Sequence, residues 1–89
     1  MIRLQRTVTA MAEVLALESM VARNIRTRRE ALGLTQLELC KRLGIGSGQV
    51  CSWESGKHLP GAWSLCLLAD EFGCTVDELL GRGGKYGNG

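Results

Sequence analysis

Five of the glycines set the frame of this chain. Gly33, Gly44, Gly56, Gly73 and Gly81 each follow a stretch whose apolar residues recur every three or four positions. Glycine readily adopts the left-handed conformation that ends a helix, so a chain cut at these places has room for helices and for little else. Start signals stand where the stops require them. Thr35 with Glu38, and Thr75 with Glu78, both spell T-x-x-E, in which a hydroxyl and a carboxylate satisfy each other's backbone N–H groups at a helix start. Pro60 and Gly61 mark a loop ahead of a further helix. The spacing predicts an all-α fold of five helices over 19–32, 36–43, 47–55, 62–72 and 76–80.

The apolar positions fit this division. Val21, Ile25 and Leu32 line the first helix, Leu39, Cys40 and Leu43 the second, and Val50 and Trp53 the third. Leu65, Leu68, Ala69 and Phe72 line the fourth, and Val76, Leu79 and Leu80 the fifth. Stripes at this spacing are what helices bury against one another. Aromatic residues make up 4% of the chain and proline occurs once, which favours helices over a sheet. The 89 residues suffice for one domain with a modest core and no disulfide or metal. That domain is expected at 19–81. Residues 1–18 form an N-terminal extension that can continue the first helix backward, since Val14, Leu17, Val21 and Ile25 share a face. Residues 82–89 form a Gly-rich tail too poor in apolar groups to fold.

Several function classes fall away. Glu13 and Glu18 interrupt the apolar stretch of the opening segment, and no run approaches the roughly 20 apolar residues of a membrane span. A cytoplasmic protein without membrane contact is expected. Cys40, Cys51, Cys66 and Cys74 lack C-x-x-C spacing and His58 is the single histidine, so reduced core or near-core thiols are expected rather than a metal site. No nucleophile–base grouping or Gly-rich phosphate loop stands out, and Asp77 and Glu78 read as first-turn charges at a helix start. Neither enzyme activity nor a cofactor is expected. Charge is uneven despite a net +2: residues 1–34 hold six Arg against three Glu, while 58–80 hold four acids and no Lys or Arg. Such a dipolar surface orients a molecule on a polyanion.

The most informative stretch is 34–57, LTQLELCKRLGIGSGQVCSWESGK. Two short helices separated by Gly44-Ile45-Gly46 must cross steeply, with Ile45 under the turn and small Cys40 letting the axes approach. The second helix then stands clear, able to enter the major groove of B-DNA, about 12 Å wide. Around this stretch lie N-I-R ahead of R-R-E-A-L-G-L-T-Q, then L-C-x-R-L-G-I, W-E-S-G-K, a following Pro, and L-A-D-x-F-G-C-T-V-D-E-L-L. In this order and spacing, from about 21 to 81, the sequence resembles the lambda-repressor and Cro-type (XRE-like) helix-turn-helix family.

The resemblance implies a five-helix lambda-repressor-like domain with the helix-turn-helix at about 36–55, and double-stranded DNA as partner. It places DNA contacts at Thr35, Gln36, Ser47, Gly48, Gln49, Ser52, Ser55, Lys57 and His58. Gln36 would bind a phosphate at a helix N-terminus. Gln49 would read a base edge, because an amide pairs bidentately with adenine. Ser55, Lys57 and His58 fall where the family grips the backbone. Arg29 and Glu54 match an ion pair tying the first helix to the recognition helix. Plainer readings stand beside these: Gln36 as a solvated first-turn residue, Ser47 as an N-cap, His58 as a loop residue.

This sequence departs from the family pattern in two respects. Gly48 brings no side chain to the recognition helix and, inside a helix, costs about 1 kcal/mol relative to Ala; modest specificity per subunit follows. Leu37, Leu59, Trp63 and Leu67 are apolar where polar residues are usual. Leu59, Trp63 and Leu67 form either a homodimer interface or, for Trp63 and Leu67 one turn apart on the fourth helix, a seat for Val14, Leu15 and Leu17. The function implied is a transcriptional regulator, a repressor-type homodimer on a palindromic operator. The alternative is an antitoxin or adaptor that binds a protein partner through its apolar N-terminal extension or fourth helix.

Overall fold

A computed structural model describes residues 2–82, with side chains for residues 11, 12 and 15–82. Five helices follow in order: α1 (Ile2–Ala31), α2 (Gln36–Leu43), α3 (Gln49–Glu54), α4 (Ala62–Phe72) and α5 (Val76–Leu79). Among the described residues there is no strand. The five glycines of the sequence frame all have positive φ, from 67 to 78°. Nothing but glycine's missing Cβ makes that conformation cheap, which is why the helices stop where they do.

α1 starts well before residue 19. No glycine or proline occurs ahead of Gly33, so nothing in the backbone interrupts the helix back to Ile2. Its second half is the spine of the domain. Val21 and Ile25 are buried with Leu39, Cys40, Val50, Trp53, Leu68, Ala69 and Leu79, and Leu17, Leu34, Leu43, Ile45, Leu65, Phe72, Val76 and Leu80 pack around them. Earlier along α1, Met11 and Leu15 are each 61% exposed. Leu32, expected in the inward stripe, is instead half exposed, because the helix ends at Ala31 and the turn carries it out of phase.

Polar contacts pin the helices to one another. Asn24 donates its side-chain amide to the carbonyl oxygens of Leu79, at 2.9 Å, and Glu78, at 3.4 Å, fastening α1 to the end of α5. Arg42 of α2 donates to Glu71 of α4 at 2.6 Å. Both T-x-x-E sequences form complete capping boxes. Their hydrogen bonds from the threonine backbone and hydroxyl hold the Glu38 and Glu78 carboxyls below the usual glutamate range.

Two expectations need correction. α3 begins at Gln49 rather than 47, so Ser47 and Gly48 belong to the preceding turn, and Gly48 is the N-cap (φ −97°, ψ −1°) with no side-chain cap bond. Ser47 is therefore not the N-cap, and Gly48 carries no helix-interior penalty. The cysteines also divide: Cys40 is buried and Cys74 half-buried, but Cys51 and Cys66 are exposed. Val50 and Trp53 take the inward positions of α3, and Leu65, Leu68 and Ala69 those of α4, which turns Cys51 and Cys66 outward. Burial pushes the Cys74 thiol up. The Val14 side chain and the tail from residue 83 lie outside the described residues.

Candidate nucleic-acid interface

The interface is built on the α2–turn–α3 unit. Thr35 starts α2: its hydroxyl accepts from the Glu38 N–H at 3.1 Å, and its own N–H donates to Glu38 Oε1 at 2.8 Å. Gly44 stops it, in the left-handed conformation (φ 70°, ψ 35°) with its N–H directed to Cys40 and Lys41 carbonyls. Ile45 N–H then donates to the Cys40 carbonyl at 3.0 Å, and its side chain packs against the core. Cys40 also donates its thiol to the Ser47 carbonyl at 3.6 Å, so this small buried side chain ties α2 to the turn as well as admitting α3 closely.

Two anchors hold α3. Val50 is fully buried and Trp53 nearly so. Ser47, Gly48, Gln49 and Cys51 consequently face solvent, with Ser52 half-buried beside them. A groove of about 510 Å³ runs along this face, lined in part by Ser47, Gln49, Ser52, His58, Leu59 and Ser64. The loop after α3 is shaped by one carbonyl: Ser52 accepts from the Ser55 hydroxyl (3.0 Å) and from the Lys57 (3.0 Å) and His58 (3.3 Å) N–H groups. With Gly56 at φ 78°, that turn leaves the Lys57 and His58 side chains exposed at the end of α3.

Beneath the unit lies a buried charge. The Glu54 side chain is fully buried, and Arg29, 12% exposed, grips it with Nε to Oε2 at 2.7 Å and Nη2 to Oε1 at 3.0 Å. The third guanidinium nitrogen of Arg29 donates to the Leu34 carbonyl at 2.7 Å, so all three nitrogens of this side chain are engaged within the protein. Gln36 donates to Glu54 Oε1 at 3.1 Å, and Arg26 donates Nε to the same oxygen at 3.4 Å. Burial alone would raise the Glu54 carboxyl; the hydrogen bonds from Arg29 and Gln36 and the Arg29 charge outweigh it and hold the group below the usual range. The Glu54 hydrogen bond in turn holds the Arg29 guanidinium above its ordinary value.

Arg26 falls within the N-I-R element of the sequence pattern, but it is the member of this cluster to which the pattern assigns no role. Its position on the exposed side of α1, three residues before Arg29, is the signal that could have found it. The apolar positions lie elsewhere: Trp63 is 75% exposed, Leu59 43%, and Leu67 partly so. Leu15 is itself exposed and Leu17 packs into the core, so neither of them covers Trp63.

The profile of the helix-turn-helix family matches residues 25–79, which takes in α2 to α5 and the end of α1. The chain belongs to the helix-turn-helix family. Its five helices are arranged as in a lambda-repressor-like domain, and the family is one of DNA-binding regulators rather than enzymes. The transcriptional activator BcrR of Enterococcus faecalis is 38% identical over 52 residues, 58% of this chain and 26% of that protein. The cryptic phage CTXphi transcriptional repressor RstR of Vibrio cholerae is 31% identical over 62 residues, 70% of this chain and 55% of that protein. The transcriptional regulator AnsR of Bacillus subtilis is 48% identical over 40 residues, 45% of this chain and 34% of that protein. The chain thus spans between about a quarter and about half the length of these helix-turn-helix relatives. No solved structure gives a significant match. Among the described residues no helix is long and apolar enough to cross a membrane.

Proposed function

We propose that this protein is a sequence-specific, double-stranded-DNA-binding transcriptional regulator that acts in the cytoplasm as a homodimer on a palindromic operator. The observation that carries the reading is the exposed face of α3 and of the turn before it, where Ser47, Gln49 and Ser52 border a groove. Gln49 reads a base edge. Thr35, Gln36, Ser47, Ser52, Ser55, Lys57 and His58 position the DNA backbone, while Gly48 stands next to Gln49 and brings no side chain of its own. Relatives named as a repressor, an activator and a regulator support regulation of transcription without fixing its sign.

Dimerisation is assigned to Leu59, Trp63 and Leu67. An exposed Trp at the start of α4 is the kind of apolar feature that marks a contact, and a helix-turn-helix dimer meets half-sites about 34 Å apart. Selection of bound duplexes from a random pool at near-physiological salt tests the reading. An inverted repeat is expected, and Gln49→Ala should relax preference at one position of each half-site by about 1–3 kcal/mol. Trp63→Asp should leave a monomer in sedimentation. Failure to enrich any sequence would overturn the regulator reading. One observation favours a second reading, an adaptor or antitoxin: Met11 and Leu15 stand exposed on α1 and could receive a protein partner.

A further inference from the structure

Arg26 and Arg29 share one carboxylate yet are used very differently. Arg29 engages all three of its guanidinium nitrogens, two on Glu54 and one on the Leu34 carbonyl. Arg26 donates only Nε, at 3.4 Å, and its side chain is 55% exposed. Its two terminal nitrogens meet no acceptor among the described residues. Gln36, at the start of α2, donates to the same Glu54 oxygen, so the guanidinium of Arg26 sits beside the N-terminus of the first motif helix.

A second groove, of about 310 Å³, opens on this side. Ser19, Arg23 and Arg26 of α1 line one wall, Ser55 and Gly56 at the end of α3 the other, and Glu54 lies at its base. The carboxylate has no exposed side-chain surface, and Arg29 compensates it. What the groove presents outward is therefore the positive charge of Arg23 and Arg26, together with the Ser19 hydroxyl. Its wall continues directly into the loop that carries Lys57.

We propose that Arg23 and Arg26 of α1, with Ser19, form a phosphate site that grips the DNA backbone beyond the bases faced by α3. The site rests on the DNA-binding reading and lies outside the helix-turn-helix unit itself. A planar guanidinium with two free N–H edges matches a phosphate in geometry as well as charge. Glu54 acts as the positioning residue: it holds Arg26 by Nε so that the other nitrogens point away from the protein. Such a contact carries no sequence information, but it fixes the register of the recognition helix on the duplex.

The experiment is a salt titration of binding by the full chain, to a random-sequence duplex and to a duplex recovered by selection. Arg26→Gln and Arg23→Gln are compared with Arg42→Gln, which removes the same charge from a side chain paired with Glu71. Each phosphate contact adds about 0.9 to the slope of log affinity against log salt, so each groove variant should lose about that much. Between 50 and 200 mM salt its affinity should then fall about 3.5-fold less than that of the unaltered protein. The change should be equal on both duplexes, with Arg42→Gln unchanged and urea unfolding confirming a folded state. An unaltered slope in folded Arg26→Gln and Arg23→Gln overturns the site while leaving DNA binding intact. A loss confined to the selected duplex overturns it in favour of base reading. A wild-type protein that binds neither duplex overturns the site and the DNA-binding reading together.

Discussion

Replacing Glu54 with Gln isolates the buried charge on which the α1–α3 junction depends. The carboxylate accepts from Arg26, from Arg29 twice and from Gln36, and its side chain is fully buried. The variant keeps the shape but leaves the Arg29 guanidinium, 12% exposed, without its buried counter-charge and with only the exposed Glu30 carboxylate 4.0 Å away. Breaking one side of a buried pair costs about 3–5 kcal/mol. For a chain of 89 residues, total stability is roughly 4–13 kcal/mol, so this one oxygen-to-nitrogen change removes a large share. Urea unfolding with an unchanged slope would measure the loss, and the melting temperature should fall by at least about 12 °C. Acidity gives a second handle. Glu54 lies below its ordinary value of 4.5 in the folded protein, so its contribution is full above about pH 4.5 and is lost as pH falls through the folded value. The gap between wild type and Glu54→Gln should therefore narrow in acid. A loss under about 1 kcal/mol, the level of an exposed pair, would refute the reasoning, as would a gap that widens below pH 4.5.

Gly44→Ala should cost about 1–2 kcal/mol from backbone strain alone, because φ is 70° and no atom lies within 4 Å of an added Cβ. A thermal melt of the variant checks this, and a neutral effect would mean the turn can relax. Thr35→Ala should cost about 0.5–2 kcal/mol by opening the α2 capping box. The Glu38 carboxyl, held down by that box, should move up toward its ordinary value in an NMR titration.

Much of this architecture is legible in the sequence, because its punctuation is local. The positive φ at Gly33, Gly44, Gly56, Gly73 and Gly81 and the two capping boxes are properties of short segments, and short-range chemistry specifies them. The misreadings arise where neighbours decide. Whether a helix begins at 47 or 49 depends on which residues of a Gly-Ser-Gly turn find partners, and the Cys40 thiol on the Ser47 carbonyl favours the later start. Cys51 and Cys66 resemble core residues by type, yet larger neighbours had already filled the inward positions. Arg26 was missed for a related reason. Nothing in a single charged residue on a long helix reveals that its partner, 28 positions away, will take only one of its nitrogens.

The composition of the recognition face also limits what one copy can do. Of Ser47, Gly48, Gln49 and Ser52, only Gln49 is long enough to pair with a base through two bonds. One such pair gives about 1–3 kcal/mol of discrimination, whereas specific sites exceed non-specific ones by about 4–10 kcal/mol. Two copies on a symmetric operator approach the lower end of that range, with phosphate contacts supplying the rest of the affinity. The deficit is concentrated at Gly48, and the structure leaves it open to repair. Its φ of −97° suits any residue, and no atom lies within 4 Å of an added Cβ. Gly48→Arg should therefore fold with near-unchanged stability and place a guanidinium at the start of α3, where it can pair with guanine. Duplex selection should then show a new guanine preference of about 1–3 kcal/mol at one position of each half-site. If the preferred bases stay the same while affinity rises on all duplexes alike, residue 48 faces phosphate rather than the groove floor, and the assignment of Gln49 as the base reader must move with it.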